Sequence, residues 1–190
     1  MAHLVATPAV VLDMQSPIAL SPLESFLRQP DIEESPAWEF IDGQSIQKPM
    51  PSLFHSLVQR NLINAINAQT DQYYALQELR CIVPPFSPVP DISVIAIERF
   101  PEEDGPFMGT PDWVIEILAP EQSPLKLQKK ILHLLMGGSE LAWLIDTQRK
   151  QVWVWQGEGL PQVHSRQDSL PSLDIFPNIT VEDVMAMTRR

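Results

Sequence analysis

Hydrophobic residues recur three and four positions apart in two long stretches of the chain, which is the spacing of one face of an α-helix. The first stretch begins behind Ser52 and the second behind Ser123-Pro124, and a serine before the first helical residue is a common N-cap. Two shorter helices are predicted, one from the capping sequence Ser21-Pro22-Leu23-Glu24 and one near the C-terminus. The predicted helices cover residues 21–29, 52–68, 123–136 and 181–187.

The remaining hydrophobic runs are short, rich in β-branched and aromatic residues, and bounded by proline or glycine, which indicates strands. Asp42-Gly43 separates two of these runs and predicts a hairpin. The predicted strands cover residues 38–41, 44–47, 79–83, 92–97, 113–118, 141–145 and 151–155. The order of elements is helix, hairpin, helix, three strands, helix, two strands, helix, and it predicts an α/β fold with helices flanking a mixed sheet.

The length and composition favour one globular domain in a reducing compartment. With 190 residues, of which 44% are hydrophobic, the chain can bury one core, and we expect a loosely ordered arm over 1–20 followed by a single domain over 21–190. Cys81 is the only cysteine, so a disulfide framework is excluded and a cytoplasmic location is expected. No apolar run reaches the roughly 18–20 residues of a membrane span, and we expect neither a membrane association nor a secretory signal.

The charge limits the partners that the chain can bind by electrostatics alone. The formal net charge of −11 argues against a protein that holds nucleic acid tightly by bulk electrostatics. It leaves room for a local basic site and for a site that binds divalent cations.

Two acidic residues are candidates for a catalytic or metal-binding site. Asp91 opens one predicted strand after Pro90, and Glu116 lies inside the next strand among apolar neighbours, where an unpaired carboxylate is costly to bury. If the two strands are neighbours, the carboxylates can meet on one face. Together with a backbone carbonyl, for which Ile117 is available, and with water, they form an oxygen site of the kind that Mg²⁺ accepts. An aspartate after a proline is also a common strand cap, and this is the simpler interpretation of Asp112.

An ordered set of motifs resembles a known family. The set consists of Pro90-Asp91-Ile92-Ser93-Val94, the run from Pro111-Asp112 to Ala119-Pro120, a lysine-bearing helix, Gly138, and Trp143-Leu144-Ile145-Asp146. From about Glu39 to the C-terminus the chain resembles the Uma2 family (DUF820), which is abundant in cyanobacteria and is assigned to the PD-(D/E)XK nuclease superfamily. The resemblance implies a restriction-endonuclease-like core, a mixed β-sheet flanked by helices, and an endonuclease that hydrolyses phosphodiester bonds with Mg²⁺ or Mn²⁺.

The resemblance also implies the site residues. Asp91 and Glu116 are expected to be catalytic and to bind one or two metal ions. Glu39 is a candidate for an additional acid near them, although it also suits the surface of an edge strand. His55 is a further candidate, although a histidine one turn into a helix more often packs or caps.

The catalytic lysine is expected on a helix. Leu118 stands where the superfamily motif has its lysine, and in this family the lysine is thought to lie in the following helix. Counting back from Gly138 places it at Lys130. Lys129 is adjacent, and helical periodicity barely separates the two residues, so Lys129 remains an alternative.

Three functions remain open from the sequence. The leading one is a Mg²⁺-dependent nuclease that uses Asp91, Glu116 and Lys130 and binds nucleic acid, DNA above all, weakly. The second is a catalytically inactive relative that keeps the fold as a binding or assembly module, for which a homodimer is one arrangement. The third is an enzyme that acts on a small phosphorylated ligand, which would suit the acidic surface better than long DNA does.

Overall fold

The computed structural model describes residues 19–120 and 122–190, so all but the last two residues of the predicted N-terminal arm lie outside the described residues. These described residues contain four α-helices: Pro22–Leu27 (α1), Leu53–Gln69 (α2), Pro124–Met136 (α3) and Val181–Ala186 (α4). The strands are Trp38–Ile41 (β1), Gln44–Gln47 (β2), Tyr73–Gln77 (β3), Cys81–Ile82 (β4), Ile92–Ala96 (β5), Phe107–Met108 (β6), Trp113–Ile117 (β7), Leu141–Asp146 (β8), Gln151–Trp155 (β9) and Gln162–Ser165 (β10). None of the helices in these parts of the chain is long and apolar enough to cross a membrane.

Two of the three predicted N-cap serines make a capping hydrogen bond with their side chain. Ser21 and Glu24 form a reciprocal capping box at the start of α1, and the Ser52 hydroxyl accepts a hydrogen bond from the backbone N–H of His55 in α2. Ser123 is the N-cap residue of α3 and Pro124 its first residue, as predicted, but the Ser123 side chain makes no capping hydrogen bond. Instead, the backbone N–H of Lys126 donates to the Ser123 carbonyl oxygen.

The centre of the fold is a six-stranded mixed sheet. Its strand order is β10-β9-β8-β7-β5-β3, and only β7 and β8 are parallel, which is the geometry that the crossover through α3 requires. Side chains of α2 and α4 pack with one face of the sheet, and those of α3 pack with the other face. Trp113 and Trp143 lie in the first of these cores with their rings edge to face, 4.6 Å between centroids.

The structure differs from the sequence prediction mainly at the sheet edges. β3 and β10 were not predicted, because as edge strands they leave several residues exposed and lack the apolar runs of the central strands. The strand predicted over 79–83 shrinks to β4, which pairs with the equally short β6. Within that segment Arg80 is buried, and its guanidinium donates to the carbonyl oxygens of Ile32 and Trp38.

The register of the central strands sets up the site. β5 and β7 are antiparallel neighbours, with Ile92 opposite Ile115. The start of β5 therefore lies beside the end of β7, which brings Asp91 level with Glu116. The expectation that these two residues lie on neighbouring strands, near a common end, is confirmed.

Candidate active site

Asp91 and Glu116 are both buried and are linked through the backbone. Asp91 is 3% exposed and Glu116 is 1% exposed. One carboxylate oxygen of Asp91, Oδ2, accepts a hydrogen bond from the backbone N–H of Ile117, the residue after Glu116, at 2.8 Å. This bond fixes the orientation of the Asp91 side chain relative to the strand that carries Glu116.

Asp91 is held in its ionised form by a cationic neighbour. Lys48 Nζ lies 2.8 Å from Asp91 Oδ1 and also donates to the carbonyl oxygen of Val89 at 2.8 Å. His55 Nε2 is 3.6 Å from the same Asp91 oxygen. Burial alone would raise the pKa of Asp91, but the Lys48 charge and the nearby His55 side chain outweigh it and hold the pKa well below its usual range.

Glu116 shares a lysine with Glu39. Lys130 Nζ lies 2.7 Å from Glu39 Oε1 and 2.8 Å from Glu116 Oε1. Burial raises the pKa of Glu116 to about 8, because the Lys130 charge offsets only part of the cost of burial and the Asp91 charge adds to it. Burial opposes the charge on Lys130 too, but Glu116 and Glu39 together hold its pKa above the usual range. The backbone N–H of Val89 donates to Glu39 Oε1 at 2.8 Å and fixes that carboxylate.

The structure separates the two candidate lysines. Lys130 is 3% exposed and lies among the carboxylates. Lys129 is on the solvent side, where it pairs with Asp42 at 2.7 Å. Leu118 packs in the core on the α3 side of the sheet. The geometry thus places Lys130, and not Lys129, beside Glu116.

Of the other candidate residues from the sequence, Glu39 and His55 lie in the site and Asp112 does not. Glu39 lies in the site through Lys130, and His55 is buried beside Asp91 with its Nδ1 atom free of hydrogen bonds within the described parts of the chain. Asp112 lies apart: its side chain accepts from the backbone N–H of Ala96 at 2.7 Å and pairs with Arg99, a structural role at the start of β7.

Sequence reasoning missed Lys48 and Gln59. Gln59 donates from Nε2 to the backbone carbonyl of Asp91 at 2.8 Å. A signal for Gln59 existed, since it falls with His55 on the same helical face as the buried Leu62 of α2, where a polar residue needs a partner. Lys48 carries no such signal, because it follows an exposed hairpin strand and its partner Asp91 is 43 residues away.

A cavity opens beside these ion pairs. It has a volume of about 900 Å³ and lies between the β1–β2 hairpin and the start of α3. Glu39, Lys48 and Lys130 form part of its wall. A molecule in the cavity would therefore lie against the groups that contact Asp91 and Glu116.

The carboxylates of Asp91 and Glu116 are oxygen ligands of the kind that Mg²⁺ prefers. Within residues 19–120 and 122–190 no three His, Cys, Asp or Glu side chains are grouped as a ready metal site. However, Mg²⁺ is typically held by one or two carboxylates, with water and substrate phosphate completing its shell. Glu116 Oε1 is buried, and its contact with Lys130 Nζ at 2.8 Å is an ion pair that falls outside hydrogen-bond geometry, so the oxygen keeps lone pairs for a cation. The engaged Asp91 oxygens keep a free lone pair each, so both carboxylates have acceptor capacity for a cation.

Comparisons with known proteins agree with this fold. The family model Uma2, described as "Putative restriction endonuclease", matches residues 23–187. A crystal structure of a protein described as "a putative nuclease belonging to DUF820", from Anabaena variabilis ATCC 29413, is 35% identical and superposes with a TM-score of 0.81, covering 90% of this chain and 100% of that one. No curated protein matches the chain.

These matches define a nuclease-like α/β protein. The chain belongs to the Uma2 family. The predicted family and the predicted α/β fold, a mixed sheet flanked by helices, are both confirmed. The family description supports a nuclease, that is, a hydrolase that acts on nucleic acid.

Proposed function

We propose that this chain is a metal-dependent nuclease in which Asp91 and Glu116 bind Mg²⁺ or Mn²⁺ and Lys130 acts on the scissile phosphate. The observation that carries the proposal is the cluster at the β5–β7 junction. There the buried carboxylate of Glu116 lies level with Asp91, and its Oε1 atom is 2.8 Å from Lys130 Nζ. The family description, which names a restriction endonuclease, is consistent with this chemistry.

Each residue of the cluster has a distinct task in this proposal. When bound, the cation supplies polarisation of the phosphate and a lowered pKa for the attacking water. Lys48 keeps Asp91 ionised and ready to bind the cation. Glu39 holds Lys130 in its cationic form, and Lys130 stabilises the negative charge that develops on the phosphoryl oxygens.

A second candidate function follows from the same contacts. The charged groups of the cluster already neutralise one another, Lys48 with Asp91 and Lys130 with Glu39 and Glu116. Such an internally paired cluster also suits a relative that has kept the fold as a non-catalytic binding module. The two candidates differ in one property, which is the affinity for a divalent cation.

Calorimetric titration with Mn²⁺ distinguishes them. We expect the wild type to bind one or two ions and Asp91→Asn to bind at least roughly tenfold more weakly, since changes even beyond the direct ligands of a metal cost about that much. Asp112→Asn is the matched control, because Asp112 is also a buried aspartate after a proline with a cationic partner, but it lies outside the cluster.

Two outcomes would contradict the proposal. Equal weakening in Asp91→Asn and Asp112→Asn would show a general structural effect. A wild type that binds no Mn²⁺ while its circular dichroism shows a folded protein would favour the non-catalytic module.

A further inference from the structure

The wall of the cavity beside the cluster is richer in lysine than the rest of this acidic protein. Over the whole chain 24 acidic residues face 13 lysines and arginines. Along the described cavity wall the balance is reversed, with four lysines and two acids. The lysines are Lys48, Lys126, Lys129 and Lys130, and the acids are Glu39 and Asp42. Both acids pair with lysines of the same wall, and Lys48 and Lys130 also pair with Asp91 and Glu116 behind it. The charges of the cavity are therefore close to balanced, and it repels a phosphate less than the rest of the acidic surface does.

Apolar side chains form much of the rest of the wall. Ile41 and Ile46 come from the hairpin, and Met50 follows it. Leu125 comes from the first turn of α3. Met50 and Leu125 are 71% and 66% exposed, although side chains of this kind are usually buried. The cavity therefore combines cationic groups with exposed apolar surface.

This combination suits one nucleotide unit better than a duplex. Lysines attract phosphate, and apolar side chains pack against the face of a base. Within a duplex the faces of the bases are covered by stacking and only their edges are accessible in the grooves. The volume of about 900 Å³ lies within the roughly 300–1,000 Å³ of pockets that enclose small ligands.

We propose that the cavity binds an unpaired nucleotide next to the scissile phosphate, so that the substrate is a single strand or the unpaired end of a duplex. The inference rests on the proposed nuclease function, because it assumes that the cluster at Glu116 is where the strand is cut. It also accounts for the overall charge: a net charge of −11 repels a long duplex, whereas one strand can enter the lysine-lined cavity with few phosphates near the acidic surface.

The test is fluorescence anisotropy in EDTA, where metal-dependent cleavage cannot occur. The probes are a labelled single-stranded oligodeoxynucleotide and the same strand in a blunt duplex. We expect the wild type to bind the single strand roughly tenfold more tightly or better, since covering about 60 Å² of apolar surface on the base and the wall contributes about that much.

A pair of variants locates the binding. Met50→Glu places a carboxylate in the apolar wall and should weaken single-strand binding by roughly tenfold. Leu160→Glu is the matched control, because it adds the same charge at a residue that is 95% exposed and is not in the wall. We expect it to leave binding unchanged.

Three results would overturn the inference. They are equal binding of the single strand and the duplex, equal effects of Met50→Glu and Leu160→Glu, and a nucleoside monophosphate that binds as tightly as the strand and displaces it. The last result would assign the cavity to a small phosphorylated ligand. None of them depends on metal, so a failure here is separate from a failure of the proposed cation site, which the Mn²⁺ titration measures.

Discussion

Lys130→Met is expected to reduce nuclease activity by roughly 10²-fold or more, because a cation that stabilises charge in the transition state contributes about that factor. The substitution should also lower the free energy of unfolding by about 3–5 kcal/mol. It leaves Glu39 and Glu116 buried without the charge that both contact. The rate should be measured with saturating Mn²⁺ at a temperature where circular dichroism shows that the variant is folded.

Lys129→Met is the matched control for this prediction. The Lys129 pair with Asp42 is exposed, and such pairs contribute about 0–1 kcal/mol to stability. We expect nearly wild-type activity and a nearly unchanged melting temperature. The reverse ranking, with Lys129→Met inactive and Lys130→Met active, would mean that the lysine of the cluster is structural and that the reacting centre lies elsewhere.

Glu116→Gln is expected to abolish the stabilisation of the protein by metal. A cation that binds only the folded state at about 100 times its Kd adds roughly 2.7 kcal/mol, which corresponds to a rise of about 5–10 °C in the Tm of a domain of this size. Without metal the variant should fold normally. Burial raises the pKa of Glu116 to about 8, which shows that the charged carboxylate is costly at this position, and the neutral glutamine has the same size without that cost.

The measurement for this prediction is a thermal melt with and without Mn²⁺. The wild type should show the rise and Glu116→Gln should not, while their melting temperatures in EDTA should be similar. Equal metal-induced rises in both proteins would exclude Glu116 as a ligand.

The sequence predicted the central elements well and the edges poorly. The bounds of α2 and α3 agree within one residue, because each helix carries an apolar stripe that ends at clear signals, such as Gly137 after α3. The central strands β7 and β8 are buried on both faces and stand out as apolar runs. The edge strands β3 and β10 pair on one side only and are partly exposed, so their residues do not form such runs.

The site was predictable where neighbouring strands decide the geometry. Asp91 and Glu116 could be paired from the sequence, because each is tied to a recognisable strand. The choice between Lys130 and Lys129 needed the structure, since both flank the same apolar stripe and only the position of α3 over the sheet decides which one reaches Glu116.

Lys48 could not be predicted at all. Its contact with Asp91 joins the end of the hairpin to the start of β5, and this depends on how the hairpin packs on the sheet. The packing is held by contacts that are themselves distant in sequence. In one of them the backbone N–H of Phe40 donates to the carbonyl oxygen of Ser87 at 3.1 Å.

The central claim is that Asp91 and Glu116 form the cation site of a nuclease. Its most direct test is the cleavage of a labelled single-stranded oligonucleotide, in which every nucleotide is unpaired. Wild-type protein in Mn²⁺ should cut the strand, whereas the wild type in EDTA and Glu116→Gln in Mn²⁺ should not. Cleavage that persists in EDTA or in Glu116→Gln would contradict the account, and so would a folded, Mn²⁺-saturated wild type that cuts neither single-stranded nor duplex DNA.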